Sequence, residues 1–332
     1  MADHNGIGAL TRRTAFLAGL AALTPAAATA RAPLVSPSGL APLSEGWKRA
    51  QSLPLWDGAP PDRGFKAQPL PPDYPQGFIR NVTRPELRVF RPSQPNGRAL
   101  LVMPGGAYTF VVATHEGAGV AEEMARSGYT VFVLVYRLPG EGWASRWDVP
   151  LQDAQRAVRL IKARAQTFGY SPQSVAVLGF SAGGHLAASL ITAASEKVYV
   201  ARDEVDHQDA NPAAAGLIYP VITLTPPYTH PGSATALLGS NPDPAIVERR
   251  SPQRRVSAST PPTFLVHALD DPAVPYQNSA LMLEALKAAK VPAEAHFFEE
   301  GGHAFGLGAP GAPASLWPAL FRLWLDRRLS ET

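Results

Sequence analysis

Three uninterrupted or nearly uninterrupted apolar runs constrain this chain more than any other feature: residues 99–103 (ALLVM), 129–136 (YTVFVLVY) and 174–180 (SVAVLGF). Runs of that length without alternation fit strands buried on both faces. Between and after them lie segments of helical character at 117–126, 151–166, 182–194, 279–290 and 316–328; in the second, Leu151, Ala154, Val158 and Ile161 fall on one face. Further strands are predicted at 217–224, 263–269 and 295–298. Strands and helices that alternate through short connections predict one α/β domain over 96–332, with a mostly parallel central sheet flanked by helices on both faces.

The first thirty residues read differently. Arg12-Arg13 precedes a short apolar stretch over 15–23 and the small residues Ala28-Thr29-Ala30. This is the order of an export signal, and the paired arginines are twin-arginine-like. The expectation is an exported protein, periplasmic or secreted. The apolar run is too short to span a bilayer, so no stable membrane anchor is expected once the leader is removed. Residues 31–95 hold 13 of the 34 prolines. Proline fixes φ and lacks an N–H donor, so this part is predicted to be an extended arm over the surface, with an edge strand at 86–90.

The chain contains no cysteine. That excludes disulfides, thiolate metal sites and a cysteine nucleophile. A net charge of +3 over 332 residues, with no basic run interleaved with aromatics, argues against nucleic acid as a partner. No metal and no organic cofactor is implied. The sequence does not define an oligomeric state.

Gly179-Phe180-Ser181-Ala182-Gly183 is G-x-S-x-G placed between a buried strand and a helix. A sharp strand-to-helix turn exposes the serine hydroxyl, and small neighbours avoid a clash. Serine is a weak nucleophile and needs a base, itself oriented by a carboxylate. Of the downstream histidines, His303 lies in a glycine-rich loop after the last predicted strand, where the base belongs. His185 is expected on the buried side of its helix, and His267 and His296 fall inside strands. Asp271 follows the strand at 263–269 and is favoured as the acid over Asp270, which would cap that loop through backbone N–H groups. Asp153 precedes the serine and reads as structural. The Ala182 N–H and backbone N–H groups of the loop 104–108 are the candidate oxyanion donors. Tyr108, Trp143 and Trp147 are candidate substrate contacts, the tryptophans lying in a polar loop where a sugar ring could stack.

These motifs resemble the α/β-hydrolase superfamily, and within it the bacterial carbohydrate-esterase-like group of acetylxylan and bifunctional feruloyl/acetyl esterases. The residues that carry the resemblance are PGGAY at 104–108, YRLP at 136–139, GFSAGGH at 179–185, DDPAVP at 270–275 and GGHAFG at 301–306, with weaker agreement at His115-Glu116-Gly117. The resemblance implies Ser181 as nucleophile, Asp271 as acid, His303 as base, Gly106 and Ala107 as the oxyanion donors of the loop 104–108 beside Ala182, and hydrolysis of small O-acyl groups on a small-molecule or oligosaccharide ester. The sequence departs from the family at Ala107 and Ala304, where glycine is usual. A general short-chain carboxylesterase is the alternative within the class, and a non-catalytic hydrolase-fold binding protein the alternative outside it. Residues 196–212 either cap the site or form a surface loop.

Overall fold

The computed structural model describes residues 42–330, so the predicted leader lies outside the described residues. The described residues form ten strands: β1 (Gln51–Pro54), β2 (Phe78–Ile79), β3 (Glu86–Phe90), β4 (Ala99–Met103), β5 (Val111–Val112), β6 (Thr130–Val135), β7 (Val175–Phe180), β8 (Ala215–Ile218), β9 (Thr263–Ala268) and β10 (Ala293–Phe298). The helices are α1 (Glu45–Arg49), α2 (Gly119–Arg126), α3 (Val149–Ala163), α4 (Ala165–Phe168), α5 (Ser181–Ala193), α6 (Pro231–Leu238), α7 (Pro244–Arg249), α8 (Gln277–Ala288) and α9 (Trp317–Ser330). Eight strands make one sheet in the order β1-β3-β6-β4-β7-β8-β9-β10, while β2 and β5 pair separately. Only β3 opposes the rest of the large sheet, being antiparallel to both β1 and β6.

The continuous apolar runs are explained by burial on both faces. Ala99, Leu101 and Met103 of β4 join Phe132 and Leu134 of β6 and Val175 and Val177 of β7 in a core with α3, α5 and α8. The alternate residues Leu100, Val102, Val131, Val133, Ala176 and Leu178 face the other way, against α1, α2 and α9. Truncating a buried leucine such as Leu101 to alanine should cost about 2–5 kcal/mol.

The proline-rich segment does more than cross the surface, which corrects the expectation of an arm with an edge strand. β3 is not an edge: it lies between β1 and β6. Trp47, Leu55, Trp56, Leu87, Val89 and Phe90 are all buried core residues. The indole of Trp56 donates to Asp153 at 3.0 Å, and Asp153 is held by the buried guanidinium of Arg137 at 2.8 Å. Regular structure is absent over 55–77, 80–85 and 91–98, where the prolines concentrate; the apolar residues between these stretches are numerous enough to add strands to the sheet.

The segment 196–212 is a surface loop packed on α3. Arg156 pairs with Asp203 and Asp206, and Lys162 with Asp209. Among the described residues, no helix is long and apolar enough to cross a membrane.

Candidate active site

The carboxyl ends of β4, β7, β9 and β10 bring together the loops that build the site. Ser181 opens α5 directly from β7 with φ +50, the left-handed region that side chains avoid. Two glycines make that turn possible. A Cβ on Gly179 would lie 2.3 Å from the Gly183 carbonyl oxygen, and one on Gly183 would lie 2.1 Å from that of Met103.

Ser181 Oγ and His303 Nε2 are 2.9 Å apart, and His303 Nδ1 lies 2.7 Å from Asp271 Oδ2. The carboxylate is wholly buried and well satisfied. Its Oδ1 accepts the N–H groups of Ala273 and Val274, both at 2.9 Å. His267 Nε2 stands 3.3 Å from Oδ2 and also meets the Val274 carbonyl at 2.9 Å. Burial alone would raise the Asp271 pKa, but hydrogen bonds from His267 and His303 outweigh it and hold the carboxyl well below the usual range. The expected division of labour between the two aspartates is therefore corrected. Asp271 caps its own loop, and Asp270 Oδ1 instead accepts the Gly302 N–H of the histidine loop at 2.8 Å.

The oxyanion loop 104–108 is strained and firmly held. Ala107 and Tyr108 have φ of +54 and +60. Tyr136 donates to the Pro104 carbonyl at 2.9 Å, and the Gly105 N–H donates to the buried Glu116 at 2.7 Å. Among the described residues no protein acceptor takes the N–H groups of Gly106 or Ala107. Ala182, in the first turn of α5, likewise has no intrahelical acceptor for its N–H. Three unpaired donors beside Ser181 are what a developing oxyanion requires.

The other histidines sort by environment. His185 is fully buried, with Nε2 2.8 Å from the Arg250 carbonyl and Nδ1 2.8 Å from the Tyr108 hydroxyl. Burial pushes its pKa down to about 4, so it is a neutral anchor for Tyr108. His230 was missed by the sequence reading. It lines the cavity at Ser181, and burial, with the charge of His303, pushes it down to about 4.

That cavity has a volume of about 60 Å³ and is walled by Phe78, Gly106, Ala107, Phe110, His230 and Ala304 around Ser181 and His303. The three aromatic contacts expected from sequence do not line it. Tyr108 is buried, its hydroxyl committed to His185. Trp143 is buried between Phe65 and the guanidinium of Arg137, and Trp147 packs against the core. Their apolar surface is used in the fold, so none is free to stack on a ligand at Ser181. Among the described residues no cluster suited to a metal ion occurs.

The BD-FAE family matches residues 87–286. An acetylxylan esterase of Xylanibacter ruminicola is 31% identical over 66% of this chain and 43% of its own length. Endo-1,4-beta-xylanase B of Butyrivibrio fibrisolvens is 34% identical over 61% of this chain and 32% of its own length. The chain thus spans less than half the length of either relative. A crystal structure of an acetyl ester-xyloside bifunctional hydrolase from Caldicellulosiruptor lactoaceticus superposes with a TM-score of 0.72 at 35% identity, covering 87% of this chain and 98% of that one.

Proposed function

The chain belongs to the BD-FAE family and has the α/β-hydrolase fold, and from that membership and the site geometry we propose that it is a serine esterase cleaving small O-acyl groups, acetyl above all, from carbohydrate. The observation that carries the reading is the continuous line from Ser181 Oγ through His303 to Asp271, at 2.9 Å and 2.7 Å.

With Nδ1–H directed at the Asp271 carboxylate, His303 presents the lone pair of Nε2 to the serine hydroxyl. Ser181 Oγ bonds to the ester carbonyl carbon while Nε2 takes its proton. The carbonyl oxygen becomes an oxyanion facing the N–H groups of Gly106, Ala107 and Ala182. As the tetrahedral species collapses, the carbon–alkoxide bond breaks and Nε2 returns the proton to the departing alcohol. Water repeats the cycle on the acyl-enzyme and releases the acid. The positive end of α5 adds to the stabilisation of negative charge. Acetyl preference is supported by the size of the cavity, about 60 Å³. The carbohydrate part rests on the relatives' names. The leader-like residues 1–30 support export to the periplasm or beyond.

The test is hydrolysis of acetylated xylo-oligosaccharides, feruloyl esters and 4-nitrophenyl acetate by the wild type and Ser181→Ala. Release of acetate from the oligosaccharide by wild type alone is the expected result. Cleavage of simple esters only moves the reading to a short-chain carboxylesterase, and undiminished turnover by Ser181→Ala removes the nucleophile assignment.

A further inference from the structure

Next to the cavity at Ser181 lies a wider groove of about 490 Å³. The two share Thr109, and the wall that His230 forms in the first continues as Pro231 and Gly232 in the second. If the small cavity holds the acyl group, this groove is the adjoining space for the alcohol; the inference therefore rests on the esterase reading.

The groove is cationic for identifiable reasons. Arg80 and Arg146 line it. Among the described residues neither forms an ion pair, whereas the buried arginines Arg137, Arg156 and Arg250 all do. Arg80 Nε is buried without a hydrogen-bond partner. Arg146 donates only to the carbonyls of Thr235 and Ala236, so its charge meets no anion. The first turn of α6 also borders the groove, with Pro231 and Gly232 on its wall, although Pro231 has no N–H and the Ser233 N–H is capped by His230 Nδ1 at 3.2 Å. The one carboxylate on the lining, Glu141, is turned onto the N–H groups of Asn81 and Val82 at 2.5 and 3.2 Å. Burial raises its pKa against the opposing pull of those N–H groups and of the Arg80 charge, so Glu141 offsets part of the charge of Arg80 while Arg146 keeps its own.

We propose that this groove is an alcohol-side subsite for a carboxylate, so that the preferred esters are those of acidic alcohols. An O-acetylated uronic acid and an O-acetylated hydroxy acid both present that chemistry. A guanidinium fork suits a carboxylate, and charge-assisted hydrogen bonds to it are the stronger kind.

The experiment compares kcat/KM for two matched pairs, O-acetylglucuronate against O-acetylglucose and O-acetylglycolate against O-acetylglycolamide. The wild type should favour the acidic member by about tenfold, the size of one charge-assisted hydrogen bond. The preference should fall toward one in Arg80→Gln and in Arg146→Gln and persist in part in Arg80→Lys. It should also shrink in about 1 M salt, where the screening length is near 3 Å. A preference confined to the sugar pair identifies a uronic acid, and one confined to the glycolate pair a small hydroxy acid. A ratio at or below one in both pairs, or one unchanged in both glutamine variants, overturns the subsite. In that case continued hydrolysis of 4-nitrophenyl acetate leaves the esterase reading standing, whereas loss of all ester hydrolysis overturns both.

Discussion

The hydroxyl of Tyr219 donates to the buried carboxylate of Glu116 at 3.0 Å, and this bond joins the two loops that face Ser181. The other oxygen of Glu116 accepts the Gly105 N–H of the oxyanion loop at 2.7 Å. The Tyr219 oxygen in turn accepts the Gly306 N–H of the histidine loop at 3.1 Å, and its ring packs edge-on to His303. Tyr219→Phe keeps the ring and breaks the connection. It should lower kcat about tenfold with little change in KM, because the donors and the base lose their common anchor while the cavity keeps its shape. Leaving Glu116 and the Gly306 N–H underpaired should also cost about 1–3 kcal/mol of stability. Stopped-flow turnover and urea unfolding measure the two effects separately.

Asp271 and Asp270 are adjacent in sequence but have different jobs. In Asp271→Asn the amide oxygen is needed by the Ala273 and Val274 N–H groups, so the NH2 group faces His303 Nδ1, favours the wrong tautomer and should lower kcat by about 10⁴. In Asp270→Asn an amide oxygen can still accept the Gly302 N–H, so the loss should be tenfold or less by comparison, about one net hydrogen bond. A larger loss at 270 in steady-state assays contradicts the assignment.

The same carboxyl predicts an acid limit to stability. Its folded pKa is depressed, so its contribution is present above the unfolded value of about 3.9 and is lost as pH falls through the lower folded value. Between about pH 5 and the acid extreme, the wild type should therefore lose more unfolding free energy than Asp271→Asn. Thermal melts across that range give the comparison, and parallel curves would refute it.

The features legible in the sequence were those encoded locally. The buried strands show as apolar runs because helices cover both faces, and the nucleophile shows because its turn demands glycines at 179 and 183. His303 and Asp271 followed from chain order relative to those strands. What was hidden depends on distant partners. Glu116 is an isolated carboxylate until Tyr219, 103 positions later, reaches it. His230 sits in a stretch without periodicity, and only the packing of 219–262 turns it toward Ser181. The tryptophans at 143 and 147 were misjudged because a polar sequence context does not reveal burial; Trp143 is covered by Phe65 from the proline-rich segment, whereas Tyr108, buried as it is, borders the groove beside the cavity.

Two family departures acquire a physical meaning. Ala107 and Ala304, the two positions at which the resemblance implies glycine, have φ of +54 and +58. An alanine held in the left-handed region is strained by about 1–2 kcal/mol. Glycine relieves that strain and adds about 0.5–1 kcal/mol of chain entropy to the unfolded state. Ala304→Gly and Ala107→Gly should each be neutral to stabilising by about 1 kcal/mol or less, a result opposite to the usual effect of introducing glycine. Calorimetry of the two variants decides it.

Both alanines also line the cavity, which makes acyl size the clearest functional readout of its walls. The space at the nucleophile is small, about 60 Å³, and suits a short acyl group better than a long one. Each methylene beyond that must displace packed side chains, and one methylene in a hydrophobic pocket is worth about 1–3 kcal/mol. Activity on 4-nitrophenyl esters should therefore fall steeply from acetate to butyrate, and octanoate should be at least about tenfold slower than butyrate. Phe110 packs against Phe78 in a tilted pair with ring centres 4.7 Å apart and closes one wall. Phe110→Ala opens that wall without touching Ser181 or His303, so it should raise the butyrate-to-acetate ratio of kcat/KM by about tenfold. A chain-length profile that is flat in the wild type, or unmoved by this substitution, would place the acyl group outside the cavity.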